Sequence, residues 1–226
     1  MIRFENVSKI YSNNVVALNN VNLHIQPGEF VSIVGQSGMG KTTLAKLIIA
    51  EERPTKGKVI IGGWDITRIR HHEIPVLRRQ IGVVYQDFKL LPRKTVFENI
   101  AFALEVCGAS GARIRKIIPQ VLKIVGLEDK SRFFPRQLSG GQQQRVVIAR
   151  SLIHRPKIIL ADEPTGNLDS INAQEIIHLL VKINTFGTTV VLVTHNHDIV
   201  NMLRKRVITM DHGMIISDQQ SGKYIL

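Results

Sequence analysis

The sequence predicts an α/β fold built on a mostly parallel sheet, with a helical subdomain inserted in its middle. Two patterns and one motif lead there. Short apolar runs of strand type alternate with helix-period segments near both ends of the chain. Residues 88–156 read as helical almost throughout. A glycine-rich turn, Gly35-Gln36-Ser37-Gly38-Met39-Gly40-Lys41-Thr42, joins a buried strand to a helix. The boundaries that follow are 1–87 and 157–226 for the α/β core and 88–156 for the inserted subdomain, within one domain.

Taken in order, Ile2–Phe4 and Val15–Ile25 carry β-favouring residues, and Pro27-Gly28 ends them. Phe30–Val34 is an apolar run of buried-strand type. Thr43–Ile49 has apolar residues at helical spacing, Val59–Ile61 returns to strand, His72–Gln80 reads as helix and Ile81–Tyr85 as strand. In the middle, Val96–Val106, Ala112–Val125 and Gly140–Ile153 are helical, with Gly108, Gly111 and Gly126 at the joints. Pro119 falls inside the second of these and is expected to bend or break it. Lys157–Ala161 and Thr188–Thr194 are strands, each followed by a helix, over Ser170–Asn184 and Asp198–Arg204. Arg206–Met210 and Met214–Ser217 close the chain as two short strands.

Composition narrows the function classes. The chain has 226 residues, 44% of them hydrophobic and 21% charged, which suits a folded domain with a full core. A single cysteine, Cys107, excludes a disulfide framework or a cysteine-rich metal site. No run approaches the ~18 apolar residues of a membrane span, and MIRFENVSK lacks the apolar core of a signal peptide. The expectation is a soluble cytosolic protein, held at any membrane by something else. The net charge is +12, and residues 89–157 hold fourteen basic residues against four acidic ones, +10 in all. Such a surface suits nucleic acid or an anionic membrane face. Aromatic residues do not interleave with these charges in the manner of a single-strand-binding platform, which weakens the nucleic-acid reading.

Gly35–Thr42 fits G-x-x-x-x-G-K-[ST], in the strand-to-helix context that this phosphate loop requires. Glycines let backbone N–H groups turn towards a phosphate, and the following helix adds the positive end of its dipole. Lys41 reaches the β- and γ-phosphates, and the Thr42 hydroxyl is a Mg²⁺ ligand. A second carboxylate-bearing strand end is needed, and Ile158-Ile159-Leu160-Ala161-Asp162-Glu163 supplies it. Asp162 is assigned to the metal and Glu163 to the attacking water. Adjacent strand residues point to opposite faces, so the strand must end at Asp162 for both to face one nucleotide. Pro164 supports that break.

Leu138-Ser139-Gly140-Gly141-Gln142 opens a helix and is similar to the signature motif of ATP-binding cassette (ABC) proteins. Other elements of that family stand in order. Tyr11 matches its adenine-stacking aromatic, Gln86 its Q-loop glutamine, Asn167-Leu168-Asp169 its D-loop and His195 its switch histidine. Met39, where a small residue is more usual, and Asn196, where Asp is common, depart from the pattern. Within the family the chain resembles cell-division ATPases, on LRRQIGVVYQDFKLLPRKTVFENIAFALEV and INTFGTTVVLVTHN. Lipoprotein-release and macrolide-export ATPases share LADEPTGNLD. A nucleic-acid-associated cassette is a third class.

The resemblance implies an ABC nucleotide-binding domain with an antiparallel β part beside the parallel core. It implies ATP and Mg²⁺ as cofactors, with Thr42, Gln86 and Asp162 as metal ligands. Glu163, His195, Gln86 and Lys41 are the implied catalytic residues. Nucleotide contacts fall to Tyr11, Gly35 to Thr43, Gln86 and His195. Ser139, Gly140, Gly141, Gln142 and Asp169 act across a homodimer that forms on ATP binding. An FtsX-like integral membrane protein is the implied partner at the cytoplasmic face of the membrane, with a peptidoglycan hydrolase affected indirectly. No specific nucleic acid is expected. The +10 segment adds an expected contact with anionic lipid. His71, His72, His154, His178, His197 and His212, with Cys107 and Trp64, are read as surface or packing residues.

Overall fold

The computed structural model describes residues 1–12 and 14–222. Two sheets organise them. In the smaller, strands pair antiparallel in the order β2-β1-β4-β5, formed by β1 (Ile2–Ile10), β2 (Val16–Ile25), β4 (Lys56–Ile61) and β5 (Trp64–Asp65). The larger has the order β10-β9-β3-β8-β7-β6. It comprises β3 (Phe30–Val34), β6 (Ile81–Tyr85), β7 (Ile158–Asp162), β8 (Thr189–Val193), β9 (Arg206–Asp211) and β10 (Met214–Gln219). All its pairings are parallel except that of the edge strand β10 with β9.

Among the described residues seven α-helices cover this frame: α1 (Lys41–Ile48), α2 (Ile74–Arg79), α3 (Val96–Glu105), α4 (Gly111–Val125), α5 (Gly140–Leu152), α6 (Ser170–Thr185) and α7 (His197–Leu203). The period of two along the central strands splits the core in two. Ile159, Ala161, Val190 and Leu192 pack with α3 to α6 on one face. Ile158, Leu160, Val191 and Val193 pack with α1 and the small sheet on the other. The helices α3, α4 and α5 thus form the crossover between β6 and β7, which are neighbours in the sheet.

Five of these seven helices start at a side-chain cap. Thr95, Ser110, Ser139, Asp169 and Asn196 each accept a backbone N–H in the first turn of α3, α4, α5, α6 and α7. Asn196 serves as well as an Asp at that place, its Oδ1 accepting from Ile199 N at 3.1 Å. Pro119 does not break α4, which runs as one helix from Gly111 to Val125. Pro119 and Arg115, whose carbonyl loses its i→i+4 donor there, both lie on the exposed side, where water can take the donor's place. The helix expected over His72–Gln80 is confined to Ile74–Arg79, where Pro75 occupies the first turn.

One buried ion cluster joins the sheets. Arg206, 8% exposed, donates Nε and Nη2 to the Asp218 carboxylate, both at 2.7 Å. Its Nη1 donates to Glu29 Oε1 and to the His24 carbonyl, fastening β9 and β10 to the end of β2 and the start of β3.

Candidate nucleotide site

Register decides what meets at the top of the large sheet. Tyr85 lies beside Asp162, Asp162 beside Val193, and Val193 beside Ile33. Four adjacent parallel strands, β6, β7, β8 and β3, therefore end level with one another, and ligand sites form at such carboxyl ends. Their successors are Gln86, Glu163, Thr194-His195 and the loop from Gly35. A cleft of about 470 Å³ opens there, lined by Tyr11, Ser37, Gly38, Gly40, Lys41, Thr42, Thr43, Gln86, Asp162, Glu163 and His195, with Val15, Val16, Ala17 and Val193.

The loop shape has a local cause. Gly40 precedes α1 at φ +94, and a Cβ there would lie 2.4 Å from the Ala17 carbonyl oxygen, so only glycine fits. Lys41, 7% exposed, curls back over the loop and donates Nζ to the carbonyls of Gly35 (2.7 Å) and Gln36 (2.8 Å). Burial pulls its pKa down, while the carboxylates of Glu163 and Asp162 oppose the shift. The ammonium is thus presented at the cleft on backbone oxygens that a phosphate can replace.

The strand β7 does end at Asp162. Glu163 takes φ +49, a left-handed conformation rare for a branched-free acid and strained by about 1–2 kcal/mol. That turn cancels the strand alternation and brings both carboxylates to the cleft. Glu163 is held on three sides: its N–H donates to Val193 O, Thr194 Oγ1 donates to Oε2 at 3.2 Å, and His195 Nδ1 lies 2.7 Å from Oε1. Asp162 is pushed above the ordinary carboxylate range, first by burial and then by the neighbouring Glu163 charge.

Gln86 and Asn167 are reciprocally bonded. Gln86 Nε2 donates to Asn167 Oδ1, and Asn167 Nδ2 donates to the Gln86 carbonyl, each at 3.2 Å. With its NH₂ so engaged, Gln86 keeps its amide oxygen for another partner. Thr42 hydroxyl, Asp162 carboxylate and Gln86 amide oxygen are hard oxygen donors lining one cleft, the donor set that Mg²⁺ accepts. Tyr11 sits at the rim, its hydroxyl 3.4 Å from Thr43 Oγ1.

Other sequence-chosen residues stand apart from this cleft. Met39 points away and its sulfur accepts from His212 N. Ser139, Gly140, Gly141, Gln142 and Asp169 are not among the lining residues. They form a second group, where the N-termini of α5 and α6 meet. Ser139 and Gln142 cap each other's N–H groups. Asp169 accepts from Asn172 N, and these bonds hold its carboxyl below the usual range. A Cβ on Gly141 would lie 2.1 Å from Asn172 Oδ1.

Two residues that the motifs do not mark complete the geometry, Thr194 on Glu163 and the fully buried Gln144 of α5, beside Asn167 of the D-loop match on Gln86. Gln144 stands in the polar run Gln142-Gln143-Gln144-Arg145, which gives no sign in the sequence that its side chain is buried.

Residues 18–166 match the ABC transporter family. The chain is 53% identical over 224 residues to the cell division ATP-binding protein FtsE of Bacillus subtilis, covering 99% of this chain and 98% of that one. It is 48% identical to the protein of the same name from Escherichia coli, covering 94% and 96%. Among solved structures it is similar to the ATP-binding cassette MJ0796 in a dimeric post-hydrolysis state bound to ADP and Pi. The TM-score is 0.86 at 39% identity, over 99% and 100% of the two chains. It is also similar to cbiO1 from Clostridium perfringens, part of the transporter complex cbiONQ, with a TM-score of 0.91 at 31% identity over 97% and 88%. A phosphate loop, two carboxylates and a histidine on four level strands, joined to sequence identity along the whole chain, place this protein in the ABC transporter family, in its branch of cell division ATP-binding proteins.

Proposed function

We propose that the chain is the ATP-hydrolysing subunit of a cell-division complex, working as a homodimer on an FtsX-like integral membrane protein at the cytoplasmic face. The observation that carries this reading is the split arrangement of the functional residues. One group lines the 470 Å³ cleft, and the second, Ser139 to Gln142 with Asp169, lies outside it at the meeting of two helix N-termini. Helix N-termini favour anions. Two copies placed head to tail close each cleft with the partner's second group, and such a contact is self-complementary.

In that dimer the phosphate loop and Lys41 hold the polyphosphate, and Tyr11 stacks on the base. Thr42, Gln86 and Asp162 hold Mg²⁺, which neutralises phosphate charge when bound. Glu163, fixed by His195 and Thr194, takes a proton from the attacking water. His195, largely exposed, also faces the γ-phosphate, so it links the phosphate to Glu163. Opening after hydrolysis supplies a two-state movement to the membrane partner, and through it to a peptidoglycan hydrolase.

A docking place for that partner is supported on α2 and α3. Phe102 and Val106 are 50% and 65% exposed beside Arg79, Arg150 and His154 around a cavity of about 430 Å³. The +10 charge of residues 89–157 favours an anionic leaflet nearby. The test is Mg-ATP turnover by the wild type, Lys41→Ala and Glu163→Gln. The wild type hydrolyses ATP, Lys41→Ala does not, and Glu163→Gln loses about a hundredfold or more of kcat while still binding nucleotide. Wild-type turnover in either variant refutes the assignment.

A further inference from the structure

Gln144 lies in the second turn of α5, directly after the Ser139–Gln142 group, and is fully buried. Its Nε2 donates to two main-chain carbonyls, Tyr85 O at 3.1 Å and Pro164 O at 2.7 Å. Both partners are acceptors, so the amide can face them only through its NH₂. Its Oε1 is left buried with no donor among the described residues. An unpaired buried acceptor is a cost that packing alone gives no reason to keep.

The two carbonyls are informative by position. Tyr85 immediately precedes Gln86, and Pro164 immediately follows Glu163. One side chain therefore ties the loop carrying Gln86 and the turn carrying Glu163 to the helix that bears the second functional group. The same helix grips the first loop again further along, through Arg150, which donates to the carbonyls of Lys89 (2.8 Å) and Phe88 (3.3 Å). Gln144 itself does not line the cleft.

We propose that Gln144 is a positioning residue, which sets Gln86 and Glu163 against the γ-phosphate according to where α5 sits, and so joins a protomer's own cleft to the face it offers its partner. The proposal rests on the ATPase reading given above. It acts on geometry rather than on nucleotide affinity, because the phosphate loop, Lys41 and Tyr11 are not among the groups Gln144 holds.

The experiment compares full-length wild type, Gln144→Leu and Gln144→Asn. Leucine keeps most of the volume and removes both donors; asparagine keeps the amide but falls one methylene short of spanning both carbonyls. Turnover with Mg-ATP, the dissociation constant of a fluorescent ATP analogue and the thermal midpoint are measured on each. The expected result is a fall in kcat of about tenfold or more, because small displacements of reacting groups have large effects, with KM and nucleotide affinity within about twofold. Wild-type kcat in both variants overturns the proposal. So does a fall in kcat matched by an equal fall in nucleotide binding or folded fraction, or failure of both variants to fold, which makes Gln144 a packing residue. An inactive wild type contradicts the ATPase reading instead, and the two failures are told apart in one assay.

Discussion

Replacing Gly141 with alanine separates two duties of one glycine. The added Cβ would lie 2.1 Å from Asn172 Oδ1, 2.7 Å from its Cγ and 3.2 Å from its Cβ. Ordinary contact begins near 3.4 Å, so α5 or the Asn172 side chain must retreat by roughly 1.3 Å. Asn172 cannot swing freely, because its amide donates to the Asp169 carboxylate at the start of α6. Overpacking of this kind costs about 1–3 kcal/mol. For a chain of this length that is a fall in Tm of about 4–8 °C at the middle of the range. Shortening the obstructing residue should restore stability, so Gly141→Ala with Asn172→Ala melts within about 1 °C of Asn172→Ala alone. Thermal melting of the four proteins in the cycle reads this directly. If Gly141 also faces the partner's phosphate, the relieved double variant still fails to dimerise with ATP. A Gly141→Ala protein as stable as wild type, or a double variant no better than the single, refutes the packing argument.

Two further outcomes follow from the buried charges. Arg206→Met leaves Glu29 without its ion-pair partner and opens the tie between the sheets; because Asp218 is 40% exposed and screened, and Glu29 keeps the Gln26 N–H, the expected loss is about 2–3 kcal/mol, read by urea unfolding. Asp162 is raised above its ordinary value of 3.8, so between that value and its native one the folded state holds a proton that the unfolded chain has released. Its contribution therefore makes ligand-free stability fall as pH rises through that window, and Asp162→Asn removes this slope; identical pH dependence of melting in the two proteins contradicts the shift.

Much of this was legible because local rules and the global fold agree. The buried strand before Gly35, the break after Asp162 and the cap at Ser139 each follow from residue chemistry within a few positions. What was not legible is tertiary. That Pro119 stays inside α4 depends on its facing solvent. That Gly141 must be glycine depends on where Asn172 of another helix lands, and the role of Gln144 depends on two carbonyls 59 and 20 residues away. Thr194 reads as the polar end of a strand until Glu163 is turned towards it. Periodicity marks which face of a helix is inward, but not which backbone group waits there.

Association of the Glu163→Gln protein is the most direct trial of the two-copy site. Its mass in solution is measured by light scattering with and without Mg-ATP, beside Lys41→Ala carrying the same Glu163→Gln change. A nucleotide clasped between copies gives twice the monomer mass with Mg-ATP, the monomer mass without it, and no doubling when Lys41 is absent. A protein that binds Mg-ATP to saturation and remains monomeric contradicts it.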